Sequence, residues 1–127
     1  VTLPIALTMG DPAGIGGELS LKAWQTARKN IRPFYVIDDA DRLRKLSTHC
    51  GFGCSIEIID DPTKAIEVFN RAVPVLDQPL NSDQHFGQPN PDNASCVIES
   101  IKRAVSDVTE GRAAGVVTNP INKQALY

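Results

Sequence analysis

Short apolar runs that each end in a turn alternate with segments of helical period along this sequence, and that alternation leaves few folds open to it. Residues 3–9 form the first such run, ended by Gly10-Asp11-Pro12. From Gly14 the period becomes helical, with Ile15, Leu19, Ala23, Trp24 and Ala27 on one face and Lys22, Gln25 and Arg28 off it. Residues 34–37 make a second strand. Asp38 and Asp39 follow as N-cap candidates for a helix that carries Leu43, Leu46 and Cys50 and is closed by Gly51. Ile56, Ile58 and Ile59 mark a third strand, and Ala65, Ile66 and Phe69 a short helix. Residues 73–76 are extended, and Pro74 within them points to an edge position or a connection. Residues 77–93 lack an apolar period and read as one long loop.

Asn90-Pro91 then opens the clearest helix, with Ala94, Val97, Ile98, Ile101, Ala104, Val105 and Val108 as one stripe and Gly111 at its end. Residues 114–117 read as a last buried strand, followed directly by a polar cluster and the start of another helix. Parallel strands need crossover connections, and helices supply them. The expected fold class is therefore α/β, a largely parallel sheet with flanking helices.

Composition narrows the function classes. The 127 residues carry a formal net charge of −2, with basic side chains scattered rather than clustered, so the electrostatic footprint of a nucleic-acid binder is missing. No apolar run approaches the ~20 residues of a spanning helix, and the N-terminus lacks the pattern of a signal peptide; we expect no membrane partner and a cytoplasmic location. Cys50, Cys54 and Cys96 are expected as free thiols, because a zinc site around Cys50 and Cys54 would need two more ligands and only His49 and His85 are available.

Two motifs carry the chemistry. Gly10-Asp11-Pro12-Ala13-Gly14-Ile15-Gly16-Gly17-Glu18 joins a strand to a helix, where glycines let backbone approach a ligand and helix N–H groups face an anion. Asp11, Gly14, Gly16 and Glu18 are the candidate substrate- or cofactor-binding residues here; the competing reading is a tight turn alone. This is not the dinucleotide fingerprint, because Leu19 stands where that motif wants its third glycine. Thr118-Asn119-Pro120-Ile121-Asn122-Lys123 lies at the C-terminal end of a strand, where open α/β sheets place ligands. Thr118, Asn119 and Asn122 can hydrogen-bond a hydroxyl or phosphate, and Lys123 can supply a point charge. The alternative is an N-cap at Asn119 with Pro120 at the first helical position and Lys123 in water. His49 and His85 are isolated histidines, His85 the better functional candidate because it lies in the long loop.

The stretch Pro4-Ile5-Ala6-Leu7-Thr8-Met9-Gly10-Asp11-Pro12-Ala13-Gly14-Ile15-Gly16 resembles the N-terminus of the 4-hydroxythreonine-4-phosphate dehydrogenase family, and Thr118 to Lys123 resembles a second signature of that family. The resemblance covers the whole chain but only about the first two fifths of such an enzyme; residues 1–127 are expected to be the N-terminal portion of a larger two-domain protein. Gly17 departs from the family pattern, which usually has proline there.

The resemblance implies a homodimeric, isocitrate/isopropylmalate dehydrogenase-like fold with its active site between two domains. It also implies NAD or NADP as hydride acceptor and a divalent metal (Zn, Mg or Co) held by histidines beyond Tyr127, so no metal ligand and no catalytic residue is assigned within this chain. The implied reaction oxidises 4-phosphohydroxy-L-threonine and decarboxylates it to 3-amino-2-oxopropyl phosphate for pyridoxal phosphate synthesis. Competing expectations are a relative acting on another phosphorylated or carboxylated hydroxy acid, an acyl-phosphate transferase similar to phosphate acetyltransferase, and a non-catalytic binding module.

Overall fold

The computed structural model describes residues 2–10, 15–80 and 94–120. Along the chain these form β1 (Ile5–Thr8), α1 (Gly16–Ala27), β2 (Phe34–Asp38), α2 (Ala40–Cys50), β3 (Ile56–Ile58), a 3-10 turn (Pro62–Lys64) running into α3 (Ala65–Val68), β4 (Val73–Asp77), α4 (Ala94–Thr109) and β5 (Gly115–Val117). The five strands make one sheet in the order β3-β4-β2-β1-β5, and every pairing is parallel. The α/β fold class read from the alternation of strands and helices is the one observed.

Side chains that alternate along the strands divide the core between two faces. Phe34, Val36, Val73 and Val75 pack with Leu21 and Trp24 of α1 and Leu43 and Leu46 of α2. Ala6, Tyr35, Ile37 and Leu76 pack instead with Ala65 and Val68 of α3 and Ala104 of α4. α1 is tied down further by the Trp24 indole, whose Nε1 donates to Phe69 O at 2.7 Å while the Arg28 guanidinium lies 4.3 Å over its ring. Asp39 caps α2 as its position implies: its Oδ1 accepts from Arg42 N at 3.0 Å.

Four elements differ from the sequence reading, the first being α1, where Ile15 and Leu19 of the expected inward face are exposed. β4 is an interior strand between β3 and β2, despite Pro74. The ladder with β2 begins at Val36↔Val75, one residue after the proline, and Val73 N bonds Ser55 O on the other side, so the missing N–H falls ahead of the first rung. β5 is not buried: Gly115 and Val116 are half-buried and Val117 is exposed, because β5 pairs with β1 alone among the described strands. On α4 the buried face runs through Cys96, Val97, Ser100, Ala104 and Asp107, leaving Ile98 and Val105 exposed. The helix turns this way because Ser100 and Asp107 have hydrogen-bond partners in the sheet. Asn90-Pro91, proposed to open that helix, and His85 lie outside the described residues.

Candidate functional site

The connection from β1 leads through α1 to β2 on one side, and the crossover through α4 brings the chain back to β5 on the other side of β1. The strand order therefore reverses between β1 and β5, and beyond the carboxyl ends of such strands open α/β sheets place their ligands. Both sequence motifs meet there. Gly10 follows β1, Gly16 opens α1, and Thr118 and Asn119 follow β5. Asp11, Gly14, Asn122 and Lys123 lie outside the described residues.

Asn119 closes the junction. Its side chain is 8% exposed, and its amide Nδ2 donates to Thr8 O at 2.7 Å and to Ser20 Oγ at 3.0 Å. Ser20 Oγ in turn donates to Gly16 O at 3.0 Å. The glycines are required by this contact. A Cβ on Gly16 would stand 2.9 Å from both Asn119 Cβ and Met9 O. Gly10, at φ 68°, would bring a Cβ to 2.7 Å from Asn119 Cβ and from Pro120 O.

The opposite face of the sheet holds the same strand end through α4. Met9 N donates to Ser100 Oγ at 3.1 Å, and that hydroxyl donates to Ile37 O at 2.9 Å. Thr8 Oγ1, also fully buried, has no hydrogen-bond partner among the described residues.

Beside this junction Asp38 ends β2 completely buried, with Arg42 Nη2 at 2.6 Å and Asp39 N donating to its Oδ1 at 2.6 Å. Burial pushes the Asp38 carboxyl above the usual carboxylate range, outweighing the Arg42 guanidinium and the Asp39 N–H that pull it down. Arg42 also touches α1: a Cβ on Gly17 would meet Leu46 Cδ2 at 2.9 Å and Arg42 Nη2 at 3.1 Å. The glycine at this position thus makes room for the Asp38–Arg42 pair.

Glu18 and Thr118 are exposed, and Ile15 gives α1 no side-chain cap, so the N–H groups of its first turn have no capping side chain among the described residues. Ser20 and Ser100, central to the geometry, are not singled out by either motif. A polar residue on the inward face of an otherwise apolar helix is the signal that could have found them. Among the described residues no group of three or more His, Cys, Asp or Glu could hold a metal ion, and no helix is long and apolar enough to cross a membrane. All three cysteines are free. A cleft of about 380 Å³ opens elsewhere, over β2 and β4, lined by residues including Leu76, Gln78, Cys96 and Arg103. None of the site residues read from the sequence lines it, and the β1–β5 junction remains the candidate.

Comparison with known proteins shows the family to which the chain belongs. The family model described as "Pyridoxal phosphate biosynthetic protein PdxA" matches residues 29–127. A 4-hydroxythreonine-4-phosphate dehydrogenase of Caulobacter vibrioides is 39% identical over 124 residues, covering 98% of this chain and 36% of that protein. One of Methylorubrum extorquens is 41% identical over 126 residues, covering 97% of this chain and 36% of its own. A crystal structure of a 4-hydroxythreonine-4-phosphate dehydrogenase from Burkholderia phymatum superposes with a TM-score of 0.89 at 30% identity, covering 99% of this chain and 38% of that one. The chain thus spans 36% of the length of these two curated relatives.

Proposed function

Because the chain belongs to the pyridoxal phosphate biosynthetic protein PdxA family, we propose that it forms the N-terminal portion of a two-domain 4-hydroxythreonine-4-phosphate dehydrogenase. The reaction removes hydride from the secondary alcohol of 4-phosphohydroxy-L-threonine to NAD or NADP, and the β-keto acid then loses carbon dioxide to leave 3-amino-2-oxopropyl phosphate. The observation that carries this reading is the convergence of the two motifs at the β1–β5 junction, in a chain that relatives of that name match over 97–98% of its length. Gly16 and the first turn of α1, which has no capping side chain among the described residues, offer backbone N–H groups to an anionic group of substrate or cofactor. Thr118 is exposed at the same strand end and can donate its hydroxyl. Asp11, Gly14, Asn122 and Lys123 belong to the proposed site through the motifs alone.

The same reading carries a homodimer, a cytoplasmic location and a divalent metal held by histidines outside this chain. The described residues do not supply a metal site, and no step here is assigned to one. The test is reduction of NAD or NADP by the purified full-length enzyme with 4-phosphohydroxy-L-threonine and added Zn, Mg or Co. Turnover with release of carbon dioxide is expected. Residues 1–127 alone are expected to be inactive, since a two-domain cleft cannot be completed by one portion. Absence of turnover by the full-length enzyme, or preference for another hydroxy acid, would sink the assignment of this substrate.

A further inference from the structure

We propose that Ser20 and Asn119 are positioning residues of this site: an amide-to-hydroxyl relay that touches no ligand but fixes the two stems from which the glycine motif departs. The inference deepens the proposed dehydrogenase and rests on it for its kinetic readout. A primary amide has two N–H donors, and those of Asn119 are both taken, one by Thr8 O at the end of β1 and one by Ser20 Oγ on α1. The amide nitrogen therefore has no donor left for a substrate. Ser20 is 2% exposed, and its hydroxyl both accepts from Asn119 and donates to Gly16 O. One chain of hydrogen bonds thus ties the last residue of β1, the first residue of α1 and the segment after β5.

The steric contacts repeat what the hydrogen bonds specify. Gly10 and Gly16, the residues on either side of the undescribed stretch 11–14, both face Asn119 with no room for a Cβ. Ser100 holds Met9 N from the opposite face, so the strand end is clamped between the Ser100 hydroxyl and the Asn119 amide. Removing the Ser20 hydroxyl leaves one Asn119 donor and the Gly16 carbonyl without these partners and frees α1 to shift against β1. The N–H groups of its first turn move with it. That displacement weakens binding of whichever anionic group they meet, and leaves the reacting atoms on the remainder of the enzyme untouched.

The experiment uses the full-length enzyme. Ser20→Ala is expected to raise the KM of substrate or cofactor about fivefold, with kcat changed less than about twofold, as loss of one buried hydrogen bond implies. Asn119→Ala breaks the same chain, so the double variant should have a KM within about twofold of the larger single effect rather than their product. Tyr35→Phe, which removes a buried hydroxyl at the other end of the sheet, serves as a control expected to lower Tm without moving KM. A Ser20→Ala enzyme with a lowered Tm and unchanged KM would overturn the proposal, and so would multiplicative effects in the double variant. If the wild-type enzyme does not turn over 4-phosphohydroxy-L-threonine, the functional reading fails, and the relay is judged by hydrogen exchange instead. The amides of Met9, Gly10 and Gly16 should then exchange at least about fivefold faster in Ser20→Ala than in wild type, the loss of one buried hydrogen bond. Equal exchange would overturn the relay.

Discussion

The amino end of β2 and the carboxyl ends of β1 and β5 bury polar groups in opposite ways. At the amino end of β2 Tyr35 Oη donates to Asp107 Oδ2 at 2.6 Å, and Arg103 and Arg112 approach Oδ1 of the same fully buried carboxylate at 3.2 and 3.4 Å. Desolvation, and then the hydrogen bond to Asp107, push the Tyr35 hydroxyl far above its ordinary value, so it stays protonated at every physiological pH. At the carboxyl ends of β1 and β5 the junction is built from a neutral amide and two hydroxyls, with glycines where any side chain would collide. A charged cluster fastens α4 to β2. The neutral junction instead sets backbone positions beside a helix N-terminus that has no capping side chain among the described residues, a use that suits a binding site.

The contrast predicts that substitutions at the carboxyl end disturb stability and binding together, and those at the amino end stability alone. The largest effect is expected for Gly10→Ala in the full-length protein. A left-handed backbone costs alanine roughly 1–2 kcal/mol, and overlap with the Pro120 carbonyl raises the total to about 3 kcal/mol or more. Urea unfolding checks the loss, and a variant as stable as wild type would break the claim that this contact is closed. Tyr35→Phe should cost about 2 kcal/mol, the worth of a hydrogen bond to a charged acceptor, while leaving substrate KM unchanged. A shifted KM would mean the two ends are coupled.

Asp38 sharpens the comparison through pH. Its folded carboxyl titrates above its unfolded value, so between the two the folded chain holds more protons and stability falls as pH rises. Above the raised value this contribution is flat. Asp38→Asn should lack that downward slope, so the wild-type urea midpoint should fall relative to the variant's across this window, whatever constant offset the substitution adds. A wild-type stability that instead rose relative to the variant across that window would show Arg42 prevailing over burial. The smallest effect is expected for Thr8→Val. A buried hydroxyl without a partner among the described residues has nothing there to offset its desolvation, so an apolar replacement of the same shape should change stability by less than about 1 kcal/mol, toward greater stability. A clear loss in urea would reveal a partner for Oγ1 in the folded protein.

The sequence by itself determined the alternation of strands and helices, the Asp39 cap and the positions of both motifs, because each depends on side-chain period or on backbone geometry within a few residues. Only the tertiary structure decided that β4 lies inside the sheet: no local pattern states which residues oppose Pro74 or where its ladder begins. The outward turn of Leu19, read as part of the inward face of α1, has a similar cause. Gly16, Gly17 and Ser20 bring that helix in by their smallest side, and the larger side chain is left exposed. The pairing of Asn119 with Thr8 joins residues 111 apart and that with Ser20 residues 99 apart, separations across which propensity and period carry no information. Their partners were fixed by strand order and by the need to satisfy the Asn119 amide and the Ser20 hydroxyl once the sheet end buries them.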